Sequence, residues 1–148
     1  MNRRVLVGLV LAFLLGAVSA LFVVTAVYQA SVQISSVAAI KTVGVAVYWD
    51  PAFTVPVNSI SWGMLEPDET KNVSCYIVNT SNVPIILTLT TSNWTPLNAG
   101  NYVSLTWNYD GQQIPVGNAV PVTLSLHVHS AITGIASFSF DITITGSG

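Results

Sequence analysis

Hydrophobic and polar positions divide the chain into two parts with different rhythms. An apolar run begins at Val5 and ends at Tyr28 without one charged side chain, directly behind Arg3 and Arg4. As a helix this run would span roughly 36 Å, enough for a hydrocarbon core of about 30 Å. Residues 1–29 are therefore expected to be a transmembrane or signal segment. Val18-Ser19-Ala20 also offers a small-x-small cleavage site, so an uncleaved anchor, cleavage after Ala20 and pilin-like processing stay open. In each case the paired arginines hold the N-terminus in the cytoplasm and send everything after Tyr28 outward. Residues 30–42 are small and polar, and read as a stalk or a donor segment in which Val32 and Ile34 alternate.

From Val43 onward the period becomes 2, the mark of half-buried strands. Val43/Val45/Val47, Asn58/Ile60/Trp62, Val73/Cys75/Ile77, Ile85/Leu87/Leu89 and Val103/Leu105/Trp107 form five alternating sets. They are separated by turn residues at Asp50-Pro51, Glu66–Glu69, Asn79–Asn82 and Asp110-Gly111. Val120/Val122/Leu124/Leu126/Val128 and Phe138/Phe140/Ile142/Ile144 complete the series. The last two are expected to pair antiparallel, Leu126 against Phe140, because that register satisfies every apolar position. Seven short strands predict an all-β, immunoglobulin-like sandwich over 43–148, with a jelly roll as the competitor.

Composition narrows the function classes. Only 7% of the 148 residues are charged, against about a quarter in ordinary soluble domains. Of the four basic residues, Lys71 alone falls within 43–148, which holds all six acids. That balance excludes a nucleic-acid surface and suits an outward-facing domain solubilised by Ser, Thr and Asn. Three sequons, at Asn72, Asn79 and Asn93, are expected to be exposed glycosylation acceptors.

Candidate chemistry is sparse. His127 and His129 share one outward face at i, i+2, a chelating spacing. The expected β-hairpin register puts Ser139 opposite His127 and Asp141 on the diagonal, making His127, His129 and Asp141 a candidate copper or zinc site; the competing reading is two polar residues on a solvated face. Ser, His and Asp here lack the nucleophile elbow and oxyanion loop of a hydrolase. The Glu66/Asp68/Glu69 turn has calcium-type oxygens without calcium-loop spacing. Cys75, the single cysteine, has inward parity and reads as a small buried hydrophobe. Trp62 and Trp107 have core parity, Trp49 ends a strand, and Trp94 sits in a loop. Trp94 is either a sugar platform or a ring folded back over the core. No catalytic constellation and no cofactor site emerges.

The stretch Trp62-Gly63-Met64-Leu65-Glu66-Pro67, then Lys71-Asn72-Val73 through Val78-Asn79 and Asn82-Val83-Pro84 to Leu89, resembles small archaeal single-span membrane-anchored immunoglobulin-like surface proteins. The likeness continues through Asn108-Tyr109-Asp110-Gly111 to the closing Thr145-Gly146-Ser147-Gly148. More distantly, the order of segments is similar to filament subunits of the TasA and archaeal bundling-pilus type. That likeness implies an N-terminal strand, here Val32/Ile34, completing a neighbouring subunit, although an uncleaved apolar run would tether every subunit. The resulting expectation is a non-enzymatic, single-pass surface protein making structural or adhesive contacts with its own kind or other envelope proteins. The alternatives are a filament subunit, a glycan- or metal-binding module, and secretion after signal cleavage.

Overall fold

The computed structural model describes residues 32–148; the apolar run expected to cross the membrane lies outside them. Eight strands follow in order: β1 (Ile34–Val43), β2 (Val45–Tyr48), β3 (Ser59–Leu65), β4 (Thr70–Asn79), β5 (Ile86–Thr95), β6 (Val103–Trp107), β7 (Ala119–Val128) and β8 (Ser137–Ser147). A 3-10 turn, Leu97–Asn101, joins β5 to β6. The strands form two four-stranded sheets, β3-β1-β8-β5 and β2-β4-β7-β6. The fold is an all-β sandwich.

The two sheets share one core. Trp62, Ile60, Cys75, Ile77, Val122, Leu124, Leu126, Val128, Phe138, Phe140, Ile142 and Ile144 are all buried, as their parity predicts. The chain passes from one sheet to the other at every connection except β6–β7. Gly44, at φ +70°, makes the tightest of these crossings. It breaks the expected Val43/Val45/Val47 strand in two. Val43 ends β1 in one sheet and is exposed, whereas Val45 and Val47 are buried in the other.

Two expectations change. The segment 30–42, read as stalk or donor, supplies an eighth strand, and that strand is internal. β1 runs antiparallel to β3 and parallel to β8. Its inward residues are Ile34, Ser36 and Ala38, all buried. Ser36 and Ala38 are small because their neighbours are large: Phe138 and Phe140 are their register partners on β8. The second change concerns β7 and β8, which do not pair. β7 pairs with β4 and β6, and β8 with β1 and β5. Their apolar faces meet across the core instead, because the connection 129–136 changes sheet.

Lys71 closes one edge of the sandwich. Its Nζ donates to the Trp62 carbonyl at 3.2 Å and to that of Met64, tying β4 to β3 across the sheets. The Nε1 of Trp62 is buried without a hydrogen-bond partner among the described residues.

Candidate functional site

His127 lies near the end of β7 on the outer face of its sheet and His129 directly follows the strand, with ring centroids 5.2 Å apart. Their neighbours come from the β3–β4 turn. Thr70 is the register partner of His127, and its Oγ1 lies 2.9 Å from Nδ1 of the ring. Asp68 Oδ1 lies 3.9 Å from Nε2 of the same ring. The turn is held alongside β7 by backbone bonds: Asp68 N–H donates to the Val128 carbonyl at 2.8 Å, and Val128 N–H donates to that of Glu69 at 2.9 Å.

Asp141 is not part of this group. It sits on the opposite sheet, because β8 is not the neighbour of β7. Its carboxylate accepts from Lys41 Nζ and from Asn93 Nδ2, each at 2.6 Å. The Lys41 bond, then that of Asn93, holds this carboxyl below the usual range. The trio His127, His129 and Asp141 is thus divided between two faces, and Ser139 departs with Asp141. Among the described residues, no three His, Cys, Asp or Glu side chains stand already converged on one ion position.

The acidic turn is occupied with its own backbone. Glu69 Oε2 accepts from Glu66 N–H at 2.7 Å, and Oε1 lies 3.8 Å from Lys71. Asp50 likewise organises its loop, accepting from the hydroxyl and N–H of Thr54 and the N–H of Val55. The Thr54 hydroxyl leads in holding that carboxyl below its ordinary value. Burial pushes the Cys75 thiol up to about 11, so the thiolate needed for redox chemistry is suppressed.

The three sequon asparagines occupy different environments. Asn72 is exposed on β4, opposite Ser125. Asn93 is exposed, at φ +53° in a bulge, with Nδ2 bound to Asp141. Asn79 is not an exposed acceptor: it is 1% exposed, and both bonds made by its Nδ2 go to the carbonyls of Val83 and Ile114.

The bulge at Asn93 also explains Trp94. An irregular register between Ser92 and Thr95 reverses the side-chain parity and turns the indole inward at the end of β5. There it stacks on Phe140, centroids 4.2 Å apart and planes 7° from parallel. Gly100 approaches so closely that a Cβ would fall 3.2 Å from the indole ring. The ring closes the core and is not an open sugar platform.

A second aromatic group was not singled out from the sequence. Tyr48 and Tyr76 are register partners on β2 and β4, and Phe53 packs against both, with centroids 5.7 and 6.5 Å away. Their outward parity on adjacent strands was the available signal. Phe53 comes from the loop and takes φ +58°, which alternation does not reveal.

No protein-family model matches the chain, and no similar protein is found among curated sequences.

Proposed function

We propose that this is a non-enzymatic, single-pass membrane protein whose immunoglobulin-like sandwich faces outward and makes structural or adhesive contacts at the cell surface. The observation that carries this reading is the uncharged run from Val5 to Tyr28 behind Arg3 and Arg4, followed by a domain with very few charges. The sandwich supports it in a second way. The carboxylates of Asp50, Glu69 and Asp141 are tied into turns or an ion pair, and the single thiol sits in the core. Added protease on intact cells is expected to remove the sandwich while cytosolic markers survive. A protected domain found in the cytosolic fraction would overturn the proposal.

The filament reading remains the second proposal, because β1 is joined to β2 through Gly44 alone. A one-residue connection is the kind of hinge that lets a terminal strand exchange between copies. Deleting residues 30–40 would not test this, since it removes part of the core. A better test uses V37C/S139C, register partners on β1 and β8 that are both exposed. For the tethered protein, oxidation is expected to give a cross-link within one chain and a single monomer band. A covalent ladder would show strand exchange. Cys75, buried with a raised pKa, does not interfere.

A further inference from the structure

We propose that His127, His129 and Asp68 bind a divalent transition-metal ion of the imidazole-preferring kind, zinc or copper, at one end of the sandwich. This goes beyond the surface-protein reading and does not depend on it.

The two histidines supply the ligands that such ions prefer. His127 lies on the outer face of β7 and His129 directly follows the strand, so the two-residue spacing leaves both rings on one side. Their rings already meet edge to face, with centroids 5.2 Å apart and planes at 61°. The third ligand comes from the turn packed against β7. The 3.9 Å between His127 Nε2 and Asp68 Oδ1 is too long for a hydrogen bond. It is close to the separation of two ligands on one tetrahedral ion, roughly 3.4 Å for bonds of about 2.0–2.1 Å. The side chain of Asp68 is 78% exposed, so its carboxylate can swing to complete convergence without disturbing the core.

Thr70 supplies the outer support that a ligating imidazole needs. In the tautomer with its proton on Nδ1, His127 donates to Thr70 Oγ1, which leaves the lone pair on Nε2, the ring nitrogen 3.9 Å from Asp68 Oδ1. A hydrogen bond from the non-ligating nitrogen fixes ring orientation and tautomer in metal sites generally. Glu69 does not compete for the ion, because its carboxylate is turned toward Glu66 N–H and Lys71. Three protein ligands leave a fourth position for water. The site also links the β3–β4 turn to the end of β7, so occupancy stabilises the fold by mass action.

The test is calorimetric titration of the untagged full-length chain in detergent with zinc chloride and, separately, copper(II) chloride. Electron paramagnetic resonance of the copper form provides a second readout. Saturation at one ion per chain is expected, with nitrogen hyperfine structure from imidazole. His129→Ala should abolish this binding, and Asp68→Asn should weaken it more than loss of the outer hydrogen bond does. Thr70→Val should weaken it by about ten-fold, whereas Asp141→Asn should leave it unchanged. All four variants should retain a cooperative unfolding transition, since each of these side chains lies outside the core. Absence of binding, binding that survives His129→Ala, or binding indifferent to Asp68→Asn would each overturn the proposal.

Discussion

A chain shortened to begin at Val45 is expected not to fold, whereas one beginning at Ser31 should unfold cooperatively in urea. The shorter chain lacks β1, and β1 is an inner strand. Its loss unpairs β3 over the ladder from Ser59 to Leu65 and β8 over that from Ser137 to Thr145. It also uncovers the sheet face on which Ile60, Trp62, Phe140 and Ile142 pack, all of them buried in the intact domain. Each large apolar side chain re-exposed costs about 1.5–3 kcal/mol. Several such losses, added to the unpaired backbone groups, exceed the roughly 5–15 kcal/mol that stabilises a typical domain. Far-ultraviolet circular dichroism across a urea titration would report it: a sigmoidal transition for the longer chain, none for the shorter. A cooperative transition in the shorter chain would show that β1 is dispensable. The result bears on processing as well. Cleavage after Ala20 leaves the strand intact, but any cut beyond Ile34 would remove part of the core.

Alternation along the chain made most of the strands legible and could not say which sheet each belongs to. Phe138, Phe140, Ile142 and Ile144 were recognisable as inward because period 2 assigns faces directly. The partner of β8 was not recognisable, since two strands lining opposite walls of one core show the same pattern as two strands paired within a wall. The false pairing of Leu126 with Phe140 followed, and with it the misplacement of Asp141 beside His127. β1 escaped for a different reason. Ser36 and Ala38 carry inward parity without hydrophobicity, because Phe138 and Phe140 fill the space beside them. The pairing of His127 with His129 was visible in the spacing, whereas Asp68 and Thr70 approach only through the long-range ladder between β4 and β7. Trp94 required the bulge at Asn93, a backbone irregularity that no apolar pattern announces.

Asn79→Ala is expected to destabilise the sandwich by about 2–4 kcal/mol, far more than loss of a surface amide. Its amide is a buried junction between two loops. Nδ2 donates to the carbonyls of Val83 at 2.8 Å and Ile114 at 3.0 Å, and Oδ1 accepts from the N–H and hydroxyl of Ser81 at 2.9 and 2.7 Å. The backbone of the same residue bonds to Asn118 and Gly117, so the 80–85 and 108–118 connections converge on it. Alanine leaves a cavity and strips all four side-chain bonds. Asn79→Asp should cost more at neutral pH, because a carboxylate would face two carbonyl oxygens in a buried site. Burial raises the pKa of the introduced carboxyl above its unfolded value of about 3.9, so the folded state binds the proton more tightly. The deficit therefore shrinks as pH falls toward that value and grows as pH rises through the raised one. Ser81→Ala separates structure from modification. It abolishes the same sequon but leaves both Nδ2 bonds in place, and should cost only about 1 kcal/mol. Urea midpoints for the three variants at pH 7 and pH 4.5 would decide. Equal effects of Asn79→Ala and Ser81→Ala would point to a lost glycan. The expected inequality identifies Asn79 as a residue of the core that only looks like an acceptor.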